Sequence, residues 1–182
     1  RVIESVSGID EIVPRLLRVG KVEFNKIATF EYMVSLPDEK KKIDFIYNTF
    51  QLSTKQGSLL SVSDKGKILL GSDFLSTDKF DKPLRQGSKV TIQNKSFEVM
   101  GFLKETGTFQ INSAVFMLQS DMEDIFRIKN EYDFIVVQVK DKDEIESVAS
   151  EIERKLRQDR HEKLGEEDFF VQTPTQALGS VN

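Results

Sequence analysis

The stretch from Phe134 to Leu156 constrains the fold most. Phe134-Ile-Val-Val-Gln-Val139 is dense in β-branched side chains, which suit a pleated, packed surface, and it predicts a buried strand. Asp141 then precedes Glu144 by three residues, the spacing of a capping box that opens a helix. Ile145, Val148, Ala149, Ile152 and Leu156 follow at helical spacing and form one apolar stripe. The other face is charged, with Glu151–Lys155 and Glu153–Arg157 as favourable i,i+4 pairs. Gly165 ends the segment, and Phe169-Phe170-Val171 predicts a further strand before Pro174. The expected unit is strand–helix–strand, with a helix that covers only one face of a sheet.

The first third mirrors this unit weakly. Val2, Ile3 and Val6 suit the end of a helix with Gly8 as its C-cap. Val13, Arg15, Leu17 and Val19 alternate as in a half-exposed strand. Pro14 has no amide to donate, so this strand starts there or lies at an edge. Phe30, Tyr32 and Val34 alternate again, and the charged run Glu39-Lys-Lys-Lys42 reads as a solvated loop.

The middle reads as β-rich. Lys67–Leu70 predicts a short strand entering Gly71, and Phe74, Leu75 and Phe80 a short helix. Val90 and Ile92, then Phe97 and Val99, alternate on either side of Asn94-Lys95, a hairpin signal. Ala114–Leu118 is a further strand, and Ser120 with Glu123 a second capping box. The fold class is α+β, with a β-rich lobe (56–129) inserted into an α/β lobe made of 1–55 and 130–182.

At 182 residues, the chain holds one ordinary domain or two small lobes. A net charge of −4 argues against general nucleic-acid binding, which needs a basic face to displace counterions. The absence of cysteine excludes disulfides, thiol catalysis and cysteine-based zinc sites, and a single histidine excludes a His-rich one. No run approaches the roughly 20 apolar residues that span a bilayer. There is no signal-peptide pattern, and the opening Arg1 suggests a piece of a longer protein.

A search for chemistry returns ordinary structural roles. His161, in a charged stretch near a helix end, complements the helix dipole. Gly66-Lys67 fails as a phosphate loop, because Ile68 stands where Ser or Thr would hold magnesium and Ser61 where the first Gly belongs. Gly71-Ser72-Asp73 fails as a nucleophile elbow, since Leu70 and Phe74 occupy its glycine positions; Ser72 suits an N-cap. Asp121-Met-Glu-Asp124 and Glu166-Glu-Asp168 lack the ligand alternation of a calcium loop, and read as an acidic helix start and a solvated turn. The 14 phenylalanines serve the core or a hydrophobic groove. No catalytic, cofactor-binding or metal-binding residue is assigned.

In this order the segments resemble a known family. They are Val6-Ser-Gly-Ile-Asp-Glu-Ile-Val-Pro14, then Ile68-Leu-Leu-Gly71 with Phe74-Leu75, and Leu84-Arg-Gln-Gly87 through Val90-Thr-Ile92. Phe97-Glu-Val-Met-Gly101-Phe-Leu103, Ala114–Leu118 with Ser120, and the closing strand–helix–strand complete the series. Together they resemble the MacB-type periplasmic core domain of MacB/FtsX/LolC-like ABC transporter permeases. Met117, where that family commonly has Pro, departs from the pattern.

The resemblance implies a two-lobe fold, with the chain ends as a porter-like lobe. It implies an extracytoplasmic domain anchored by flanking membrane helices, with Gln176–Val181 leading into the next one. The implied partners are a second permease copy, a cytoplasmic ATPase domain or subunit, and a lipid, peptide or protein substrate. The implied role is to couple ATP-driven motion to export or to an outside partner, without enzymatic activity or cofactor. The alternative is a free-standing extracellular binding module for lipid or peptide.

Overall fold

A computed structural model describes residues 1–76 and 78–179. The strands are β1 (Ile9–Arg15), β2 (Leu17–Phe24), β3 (Ile27–Leu36), β4 (Thr54–Gly57), β5 (Lys67–Leu70), β6 (Lys89–Ile92), β7 (Lys95–Leu103), β8 (Val115–Leu118) and β9 (Phe134–Val139). The helices are α1 (Lys40–Thr49), α2 (Phe109–Asn112), α3 (Gln119–Phe126), α4 (Ile145–Arg160) and α5 (Pro174–Gly179). The chain divides into two compact units: Arg1–Val13 with the chain from Val136 onward, and Pro14–Ile135.

In the first unit, β1 and β9 form a two-stranded sheet. Two strands alone are marginal in water and need an apolar cover. α4 supplies it: Val148 and Ile152 are buried with Ile3 and Val6, and Ile9, Ile12, Val137, Val139 and Leu156 pack around them. Gly8 turns the chain beneath this helix at φ +84, where an added Cβ would stand 3.0 Å from a Val148 methyl. Lys155 donates to the Ser5 carbonyl at 2.9 Å.

The second unit is built on a seven-stranded sheet in the order β4-β7-β5-β8-β3-β2-β6. β6 also pairs with β7, so six of the strands close into a ring, with β4 added beside β7. Closure removes the unpaired edges an open sheet would expose. Alternate side chains fill the interior, among them Val22, Met33, Ile68, Leu70, Ile92, Phe97, Val99 and Met117. Phe74, Phe80 and Leu84 from the connections complete this core.

Several elements differ from expectation. Phe169-Phe170-Val171 forms no strand: Val171 packs on the α4 core while Phe170 is exposed. β9 is half-exposed rather than buried, because its sheet has one neighbour strand. The Glu39–Lys42 run is no loop; it opens α1, which Ile43, Ile46 and Tyr47 bury along one face. Val2–Val6 holds a single 3-10 turn, Ile3–Ser5. Ser120 lies inside α3, which leaves β8 directly from the buried Leu118 with no loop residue to cap it. Asp38 serves instead, accepting from the Ser120 amide at 3.0 Å and its hydroxyl at 2.9 Å. Gly71, not Ser72, precedes the 3-10 turn Ser72–Leu75. Residues 14–55, grouped by the sequence reading with the chain ends, place β2 and β3 in the same sheet as the middle of the chain.

Candidate functional site

Two features are candidates for a functional role: the paired strands β1 and β9, and an apolar face on the ring. β1 and β9 pair with each other, and each runs across the division, at Val13/Pro14 and Ile135/Val136. Just inside the second unit the two strands are fastened. The Asp133 amide donates to the Arg15 carbonyl at 2.9 Å. The Asp133 carboxylate accepts from the Leu17 amide at 2.7 Å and pairs with Arg18. Partial burial raises the Asp133 pKa, but the Arg18 and Leu17 hydrogen bonds and the Arg18 charge outweigh it, and the net shift is downward.

Arg15 is buried, with its guanidinium 5.5 Å from the centroid of the Phe134 ring and its Nε donating to the Ser35 carbonyl at 2.5 Å. Burial pulls its pKa down to about 10, partly offset by Tyr47. Ser35 adds a further tie, since its Oγ accepts from the Leu16 amide at 2.8 Å. Aromatic face, carbonyl and carboxylate together tie the start of β2 to the start of β9.

The apolar face lies on β2 and β3. Their antiparallel register sets Leu17 opposite Val34, Val19 opposite Tyr32 and Lys21 opposite Phe30. Leu17, Val19, Phe30 and Tyr32 are exposed, Phe30 at 73%. A contiguous apolar patch of this kind on a strand pair marks an interaction surface more often than a packing fault.

The residues singled out from sequence take structural places. His161 caps the C-terminus of α4 in the left-handed conformation. Gly66 turns at φ +73 into β5, and Lys67 pairs with Asp64 at 3.0 Å. The Ser72 hydroxyl is buried, with no hydrogen-bond partner among the described residues. Asp121, buried in α3, accepts from the Gly66 amide at 2.8 Å. Glu167 is no solvated residue: it pairs with Arg157 at 2.5 Å, while Asp168 pairs with Arg160. These groups are not brought together. Among the described residues, no group of three or more His, Asp or Glu side chains is placed to hold a metal ion. No helix there is long and apolar enough to cross a membrane. The Gln176–Val181 lead-in lies partly outside the described residues. The sequence reading missed the Asp133 fastening, whose partners are more than a hundred residues apart.

Residues 1–155 match the sequence model of the MacB-like periplasmic core domain. The chain belongs to that family. Among its relatives is an uncharacterised ABC transporter permease, MJ1507, of Methanocaldococcus jannaschii, 27% identical over 183 residues. The match takes in all of this chain but only 44% of the relative. Of solved structures, the extracellular domain of the noncanonic ABC-type transporter YknZ from Gram-positive bacteria is similar at TM-score 0.67 and 19% identity, over 94% of this chain and 85% of that one. The periplasmic region of MacB from Actinobacillus actinomycetemcomitans is similar at TM-score 0.71 and 15% identity, over 98% and 78%. At such identities these two likenesses speak for the MacB-like fold alone.

Proposed function

We propose that this MacB-like domain is the extracytoplasmic part of an ABC transporter permease. It is anchored by membrane helices on either side, works beside a second copy of the permease, and has no chemistry of its own. It relays motion driven by a cytoplasmic ATPase domain or subunit to export or to a partner outside the membrane. The family match over residues 1–155 carries this reading. The strand geometry supports it. A displacement of either chain end acts on a hydrogen-bonded ribbon, β1–β9, rather than on one flexible linker. In the same reading, the unit made from the chain ends corresponds to the porter-like lobe and the strand ring to the β-rich one.

The test has two parts. The intact reading frame encodes apolar spans of about 20 residues on both sides of this segment. In the full-length permease with its ATPase, spin labels on Glu146→Cys and Lys65→Cys, one in each unit, change their distance distribution when ATP is trapped. A reading frame without such spans, or distances indifferent to nucleotide, overturns the proposal. The exposed strip of Leu17, Val19, Phe30 and Tyr32 favours a second reading, a free-standing binding module for lipid or peptide. Tight ligand binding by a native chain that lacks membrane spans is its signature.

A further inference from the structure

A cleft of about 480 Å³ opens beside the β2–β3 hairpin, lined by Glu23, Asn25, Lys26, Lys82, Lys89 and Thr91. We infer that this cleft binds a phosphate-bearing anion, a role independent of the transporter reading.

The charge balance is the first argument. The three lysines come from three separate segments: the β2–β3 turn, the loop before β6, and the first residue of β6. Among the described residues, no carboxylate pairs with any of them. The one carboxylate in the lining, Glu23, is engaged by Lys21 at 3.3 Å. In a chain with 30 acidic and 26 basic residues, three uncompensated ammonium groups on one cleft leave it donor-rich. Ammonium groups donate and cannot accept, so the complementary ligand is an acceptor carrying several negative charges. Lysine binds phosphate as a point charge, and three such charges lining one cleft suit a group whose oxygens point in several directions.

The second argument is the turn. Phe24 pairs with Ile27, so Asn25 and Lys26 alone form the hairpin loop, at φ 50 and φ 63. A two-residue turn of this type is best served by Asn-Gly, because both residues hold positive φ. Asparagine stands at the first position, but lysine stands where glycine would relieve the backbone. The strained choice puts a charge at the cleft.

The third is rigidity. The Asn25 side-chain amide donates to the Phe80 carbonyl at 2.9 Å. Phe24, also in the lining, meets the buried Phe80 ring edge-on, with centroids 5.8 Å apart. The hairpin end is thus tied to the core, so the frame that carries Lys26 is set before any ligand arrives, which lowers the ordering cost of binding. The volume has room for a diphosphate or for a phosphate carried on a larger group.

The test is an amide-resolved NMR titration of the 182-residue chain with pyrophosphate. Saturable shifts are expected at residues 23–26, 82 and 89–91. The triple variant K26A/K82A/K89A is expected to lose affinity by about tenfold or more, the combined effect of three solvent-exposed charge contacts. The control K55A/K65A/K104A makes the same charge change at exposed lysines outside the cleft, and keeps its affinity within about twofold. K26G separates strain from function: it raises the thermal midpoint while weakening pyrophosphate. A second arm measures co-sedimentation with phosphatidylcholine vesicles, with and without phosphatidylglycerol. Pyrophosphate binding together with cleft-dependent capture by the anionic vesicles identifies a lipid headgroup; pyrophosphate binding alone identifies a soluble phosphate ligand. No saturable binding in either arm, or equal losses in the two triple variants, overturns the inference.

Discussion

Asp133 and Leu17 stand 116 positions apart in the chain, yet the Asp133 carboxylate accepts the Leu17 amide hydrogen at 2.7 Å. The same oxygen pairs with Arg18. Within the strand-ring unit, this contact ties the residue before β9 to the start of β2.

Asp133→Asn keeps the shape of that contact and removes its charge. The expected cost is about 1 kcal/mol, modest because the pair is partly solvated. The sign with pH follows from the depressed Asp133 pKa. The unfolded chain takes up the proton first as pH falls, so the contribution is complete above the unfolded aspartate value. It is lost as pH drops through the lower folded value. Urea unfolding at pH 7 and at successively lower pH checks this: wild type and variant differ at pH 7, and the difference narrows as the pH falls into the acid range.

Arg15 is a buried cation paired with an aromatic face and a carbonyl rather than a carboxylate. Its pKa falls to about 10, which means that holding the charge there costs stability at neutral pH. That cost is relieved only as pH rises through about 10. Its buried stem contributes packing as well. Arg15→Met keeps the packing and drops the desolvation cost, so its stability stays within about 1 kcal/mol of wild type. Arg15→Ala opens a void beside Phe134 and loses about 2 kcal/mol or more. Equal losses for the two variants, measured by urea midpoints, would show that the charge itself is what holds the strands.

Two glycines separate space from backbone conformation. A Cβ at Gly71 would lie 2.2 Å from the Asn112 carbonyl oxygen, although its φ is the ordinary −65. A Cβ at Gly66 meets nothing within 4 Å, but the residue holds φ +73. Gly71→Ala therefore forces main chain apart and costs about 3 kcal/mol, while Gly66→Ala meets only left-handed strain of about 1 kcal/mol. Thermal unfolding of the two variants gives the ranking directly.

The sequence was most legible where periodicity and burial agree. The α4 stripe reads from spacing alone, and Val148 and Ile152 are indeed its buried residues. The β6–β7 hairpin reads equally well, with Val90, Ile92, Phe97 and Val99 all inward. The apparent strand at Phe169-Phe170-Val171 shows the limit. Its composition suits a strand, but the small sheet pairs only β1 with β9. Closure of the ring was not legible, because it depends on β6 meeting both β2 and β7, and no local pattern encodes two partners. The candidate surfaces were least visible. Phe30, Tyr32 and Val34 announce a strand but not which side faces water. The inward set, Glu31, Met33 and Ser35, is partly polar and is admitted because its groups find partners.

That inversion yields the sharpest comparison between adjacent residues. Phe30 is 73% exposed, and its removal strips almost no buried area. Phe30→Ser is expected to shift stability by no more than about 0.5 kcal/mol. Glu31, 7% exposed, accepts from Lys79 at 2.9 and 3.1 Å, and Lys79 sits 4.9 Å from the centre of the Phe74 ring. Glu31→Ala strands that ammonium group against the core wall and costs about 1–3 kcal/mol. Ordinary intuition, in which phenylalanine outweighs a surface-strand glutamate, gives the opposite order. Urea unfolding of the isolated chain decides between them. A large loss for Phe30→Ser would mean that the strip is already covered in solution, and a neutral result leaves it open for an interaction that the fold itself does not require.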